Sequence, residues 1–192
     1  MYLRGWNGIN IEPLPDKYNS LLKERPRDIN LRIGLGKSKG ISTLYVLGSG
    51  STIKKKYASS QKKTLNITVD TLSNICREYN KNKVEIQFCK IDVEGEEENV
   101  LLGNDWNNCR PNIFLIESVV PGTETPSYLL WEYILLNNDY SFAYQYRINR
   151  FYIDNKISGL KQRFINIDNY IKIFKTEKSK RNNSLNYKWY NK

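Results

Sequence analysis

Short apolar runs of strand length alternate along this chain with segments of helical period. That order predicts a parallel sheet with crossover helices rather than a sandwich or a bundle. Residues 8–12 read as a short strand ending in the acid Glu12, and Pro15 suits the first turn of a helix to about Glu24, which Pro26 stops. Residues 29–35 and 43–47 are two more strand candidates, and the Gly-Ser-Gly-Ser-Thr run at 48–52 reads as a mobile loop before Lys54, Lys55 and Lys56. From Thr68 the apolar positions Leu72, Ile75, Cys76 and Tyr79 fall at helical spacing, with Thr68 or Asp70 near the helix start. Residues 84–93 form the clearest strand, the acids at 94–99 open a helix that Gly103 can end, and residues 112–117 form a second buried strand. Thr125 can cap, and Pro126 begin, a helix to about Asn137, before residues 140–146 and 149–154 close as a hairpin. The expectation is an α/β fold with a mostly parallel sheet, helices on both faces and a C-terminal antiparallel hairpin.

A chain of 192 residues holds one core, so one domain over residues 1–160 is expected, followed by a basic tail over 161–192, helical in part or disordered. There is no apolar stretch long enough to span a membrane and no signal-peptide pattern, which predicts a soluble, cytoplasmic protein. Histidine is absent, and Cys76, Cys89 and Cys109 lie far apart, so Cys/His catalysis and paired-cysteine zinc sites drop out. Cys89 lies in an apolar run where a free thiol acts as a small hydrophobe, and no disulfide is expected. The net charge of +10 is uneven: residues 161–192 carry nine Lys and Arg against two acids, while the rest is near balance. That distribution argues against specific nucleic-acid binding by the domain.

Acids close three of the strand-like runs. Glu12 stands where an acid in dinucleotide-type folds accepts from ribose hydroxyls, although an acid at a strand end is also simply well solvated. Asp92 and Glu94 follow the clearest strand; they point the same way if the strand persists and diverge if a helix begins between them. Gly95 after paired acids indicates a turn shaped for close approach. Glu117 ends the second buried strand and reads as structural or active-site. Open α/β sheets bind ligands at this edge.

The blocks Gly5-Trp6-Asn7-Gly8-Ile9-Asn10-Ile11-Glu12-Pro13, Arg25-Pro26-Arg27-Asp28, residues 90–96, residues 111–117 and Asn149-Arg150-Phe151-Tyr152 stand in one order. In these blocks the chain resembles FkbM-like methyltransferases over about residues 1–154, with Asp92-Val93-Glu94-Gly95 the most diagnostic. The resemblance implies a seven-stranded class I (Rossmann-like) fold, S-adenosylmethionine as methyl donor, and oxygen methylation of sugars or other small hydroxylated metabolites. It implies that Glu12, with Pro13 beside it, meets the cofactor ribose and that Asp92 lies near its methionine portion. Glu94 and Glu117 would face the substrate pocket as catalytic candidates, with Glu94 the first choice of base and Glu117 the second. Arg150 would shape that pocket or serve the hairpin structurally.

One departure matters. In dinucleotide-type folds the ribose acid follows its glycine loop by about 20 residues, yet eleven residues precede Glu12 and hold no strand with a glycine-rich turn. The Gly36-Lys37-Ser38 run is no substitute, because a P-loop needs a glycine where Leu31 stands. The first strand and its loop are therefore expected to come from an upstream start or from a partner chain, or to be lost in a decaying gene. A non-catalytic remnant or subunit is the first alternative function, and binding of nucleic acid or an anionic surface through the tail is the second. No ligand pattern singles out a metal, and none is expected.

Overall fold

The computed structural model describes residues 2–46, 51–57 and 63–167. The chain separates into two compact units, Met1–Asp154 and Asn155–Lys192. In the second, the described residues include a 3-10 helix, Lys161–Phe164. The expected tail falls on 161–192, of which 168–192 lie outside the described residues. No helix among the described residues is long and apolar enough to cross a membrane.

The first unit is mixed α/β. Strand β1, Ile9–Ile11, pairs in parallel with β2, Ile29–Leu31, across α1, Pro15–Glu24. Asp28 sets this register: its carboxylate accepts from Gly8 N and Asn10 Nδ2, both at 3.0 Å, and Asn10 also donates to Asn30 Oδ1 at 2.9 Å. Pro15 occupies the first turn of α1 as expected, since its missing N–H has no helical partner to lose.

The strand expected over 29–35 breaks in two. Strand β3, Gly34–Leu35, leaves the first sheet and pairs in parallel with β5, Thr64–Asp70, which also pairs antiparallel with β4, Gly40–Tyr45. A Cβ at Gly34 would lie 2.9 Å from Ile67 Cδ1, and one at Gly36 would lie 3.1 Å from Val69 Cγ1. Bare backbone is what lets this segment approach the new sheet. Leu65, Ile67 and Val69 alternate with polar residues, so β5 takes the positions around Thr68 and Asp70 where a helix start was expected. The helix α2, Leu72–Tyr79, begins later, with Thr71 Oγ1 accepting from Asn74 N at 3.1 Å.

Of the loop expected at 48–52, residues 48–50 lie outside the described residues. Thr52 is held rather than mobile: it is 1% exposed and exchanges two backbone bonds with Tyr45, at 2.8 and 3.1 Å.

The third sheet runs β6-β7-β9-β8: Cys89–Ile91, Ile113–Glu117, Asn149–Asp154 and Tyr140–Tyr146. The hairpin lies where the sequence put it. The parallel run expected over 84–93 shrinks to three residues. Residues 84–88 extend past the start of β7 and are tied to it through Asn112 N, which donates to Ile86 O at 2.8 Å. The helix expected from Pro126 is also shortened. Pro126 bridges to Val119, a 3-10 turn covers Tyr128–Leu130, and α4 spans Glu132–Leu136. Trp131, 1% exposed, plugs the core between these two pieces.

Helices α2, α3 (Glu97–Leu102) and α4 cover this sheet through Leu72, Val100, Leu101, Ile134 and Leu135, against Ile91, Phe114, Ile116 and Tyr152. Arg110 pairs twice with Asp154, at 2.7 and 3.0 Å, and donates to Asn138 O, fastening the far end of the hairpin. The single mostly parallel sheet expected is thus replaced, among the described residues, by three separate sheets, two of which mix parallel and antiparallel pairs. The expected absence of a disulfide is also corrected. Cys76 of α2 and Cys109 before β7 are joined, with Cα atoms 5.8 Å apart, and Cys89 is free. Packing of α2 on the sheet brings together two residues that are 33 positions apart in sequence.

Replacing Thr71 with Ala removes the cap of α2 and should cost about 1 kcal/mol. A urea-unfolding midpoint unchanged from the parent chain would contradict this role.

Candidate active site

Two strand ends, those of β6 and β7, supply the three clustered acids. Parallel pairing sets Cys89, Lys90 and Ile91 beside Phe114, Leu115 and Ile116, so one step further Asp92 comes beside Glu117. Neighbouring strands stand about 4.8 Å apart, within reach of two carboxylates. Glu94 joins them through its backbone. At φ 54° it occupies the left-handed region, and the turn brings its side chain back to the pair. One carboxylate oxygen from each of Asp92, Glu94 and Glu117 lies within 4.8 Å of the others.

The turn after Ile91 is held from several sides. Glu97, 2% exposed, accepts from Gly95 N at 3.1 Å and Val93 N at 3.3 Å through the same oxygen. Thr52 Oγ1 donates to Glu94 O at 2.8 Å and accepts from Lys54 N at 3.1 Å. Lys54 also reaches Glu96 at 3.6 Å. Gly95 has φ 98°, and a Cβ there would sit 2.5 Å from Tyr57 Cε2 and 3.5 Å from Pro121 Cγ. The close approach expected of Gly95 is therefore an approach to an aromatic ring. Thr52, Tyr57 and Glu97 were missed by sequence reasoning. Glu97 belonged to a helix start rich in acids, and the long-range contacts of Thr52 and Tyr57 left no local pattern.

The electrostatics follow from crowding. Burial, then Asp92 through its charge and a side-chain hydrogen bond, then the charges of Glu94 and Glu97, push the Glu117 carboxyl up to about 8. Burial and then Asp92 raise Glu94 as well, against Lys17 and Lys90. Asp92 is relieved by Lys90 Nζ at 2.5 Å. Glu117 is 8% exposed, and its Oε2 has no hydrogen-bond partner.

A cleft of about 1010 Å³ lies beside this cluster. Glu12, Pro13, Asp92 and Glu94 all line it, together with backbone of β1 and β6. Glu12 also has a local bond: its Oε1 accepts from Leu14 N at 2.9 Å at the start of α1. Arg150 has the structural role. It is 9% exposed, donates to Glu132 Oε1 at 2.8 Å and Tyr152 Oη at 2.9 Å, and stacks on Tyr128 and Phe142.

Gly95→Ala should destabilise the chain by roughly 1–3 kcal/mol through the forced positive φ and the clash with Tyr57. Adding Tyr57→Ala should recover only the steric part, as read from a double-mutant cycle of unfolding free energies. Full recovery would show that φ carries no cost at this position.

No curated protein and no solved structure matches the chain. A family model described as the methyltransferase FkbM domain matches residues 1–142, which contain β1, the turn at 92–96 and Glu117. The match takes in four of the five blocks on which the resemblance was drawn and covers well over half of the sequence, so the chain belongs to the FkbM methyltransferase domain family.

Proposed function

We propose that this chain is an S-adenosylmethionine-dependent O-methyltransferase acting on a sugar or another small hydroxylated metabolite. The observation that carries the reading is that Glu12, Pro13, Asp92 and Glu94 line one cleft, with Glu117 completing an acidic cluster at its edge. The size of this cleft matches ordinary ligand pockets, at the upper end of roughly 300–1,000 Å³. Its donor set suits the cofactor: a carboxylate at the end of β1 can accept from ribose hydroxyls, and Asp92 offers an anion for an amino group. When bound, S-adenosylmethionine supplies a methyl group on a sulfonium sulfur, open to in-line attack by a hydroxyl oxygen.

The chain's own residues would hold the acceptor and take its proton. Glu94, half-buried and lining the cleft, is the first candidate for the base; Glu117, in the same cluster, is the second. Glu94→Gln should lower methyl transfer to an accepting sugar by about a hundredfold or more, with the affinity for S-adenosylhomocysteine little changed. Unchanged turnover would remove Glu94 from the role.

A second reading, of a non-catalytic remnant or subunit, is favoured by one observation. Strands β1 and β6 are both edge strands, and both line the cleft. Edge strands present unpaired backbone groups. One more parallel strand between them would join β2-β1 to β6-β7-β9-β8 as a single class I sheet, with its following loop beside Glu12 and Asp92. That strand would come from an in-frame upstream continuation or from a partner chain. Calorimetric titration of S-adenosylhomocysteine separates the readings. Binding by this chain alone supports a self-sufficient site; binding only by an upstream-extended version supports the added strand; binding by neither supports the remnant.

A further inference from the structure

Asp92, Glu94 and Glu117 each bring one carboxylate oxygen to a common point, within 4.8 Å of one another. Lys90 relieves Asp92 from one side. Glu117 is 92% buried and faces Asp92; its Oε2 meets no hydrogen-bond donor, and one of its two oxygens stands in the cluster. A buried carboxylate oxygen left without a donor is costly and calls for a specific explanation. A cation shared with Asp92 and Glu94 supplies one, because it binds the Glu117 carboxylate and offsets the mutual repulsion of the three acids.

The donor set fixes the class of ion. Three carboxylates with neither sulfur nor imidazole form a hard, all-oxygen site, suited to Mg²⁺ or Mn²⁺ rather than to zinc or copper. Two oxygens held by such an ion at about 2.1 Å lie about 3 Å apart when adjacent and about 4.2 Å apart when opposite. Three protein oxygens leave about three octahedral positions for water or for hydroxyls of a ligand in the adjoining cleft.

We infer that Asp92, Glu94 and Glu117 form a divalent-cation site of the Mg²⁺/Mn²⁺ class at the joined ends of β6 and β7. Each carboxylate can give one oxygen to the ion and keep the other, so proton acceptance by Glu94 is compatible with the site. A hydroxyl bound to the ion loses its proton more readily, which is the service a hydroxylated ligand would draw from it. The site requires only these side chains and stands whether or not the chain transfers methyl groups.

The test is titration of Mn²⁺ into the full metal-free chain, with free ion followed by electron paramagnetic resonance. One saturable equivalent is expected. Glu117→Gln, which keeps the side-chain volume, and separately Glu94→Gln, on the more accessible turn, should each weaken binding at least tenfold, while Glu24→Gln on α1 should leave it unchanged. Circular dichroism of each variant confirms the fold, and an unfolded Glu117→Gln variant passes the decision to Glu94→Gln. Lack of saturable binding by the parent chain, or equal binding by the folded Glu94→Gln variant, would overturn the proposal. Titration of S-adenosylhomocysteine without metal reports on the methyl-donor reading separately.

Discussion

Three residues of β6 pair in parallel with three residues of β7, and the acidic cluster is built where this short ladder ends. Ile91 and Ile116, at 3% and 0% exposure, are the last apolar positions of the two strands. Burying them against α2, α3 and α4 fixes both strand ends at one depth. The next residue on each strand is an acid, so the packing that stabilises the sheet also sets Asp92 beside Glu117. Neither carboxylate would choose this company in water, where like charges separate; the apolar core holds them together.

The third acid depends on a different device. The chain leaves β6 through a turn with two consecutive residues at positive φ, Glu94 and Gly95. Glycine adopts that conformation freely, whereas glutamate does so at a cost. The surroundings over-determine it: Glu97 takes two amides from below, Thr52 donates to the Glu94 carbonyl, and the Tyr57 ring closes over Gly95. Three side chains outside the acidic trio thus hold the trio's geometry. The buried acid Glu97 stays within this arrangement because backbone N–H groups satisfy it.

Elements fixed by neighbouring residues follow their sequence patterns, whereas those fixed by distant contacts depart from them. The hairpin at 140–146 and 149–154, α1 from Pro15 and the stop at Gly103 rest on neighbouring residues, and all three stand as read. The run at 84–93 was overread because an apolar pattern does not say where a partner strand begins, and β7 begins at Ile113. Strand β5 was missed because Leu65, Ile67 and Val69 precede a helix whose spacing seemed to start at Thr68. The disulfide between Cys76 and Cys109 joins elements that only packing brings together.

By itself the sequence determined the kinds of residue available and the ends at which they stand. Histidine is absent, acids close three apolar runs and Gly95 follows paired acids, so no imidazole can serve as a base at these strand ends. The family, too, was legible in the order of its blocks. The tertiary structure decided which acids meet. Asp92, Glu94 and Glu117 converge, while Glu12 shares the cleft wall but is tied to the start of α1. The division has a physical reason. A side chain's chemistry and its local backbone preference are properties of the residue and its neighbours, whereas the meeting of two carboxylates about 25 positions apart depends on strand register, which the buried core sets.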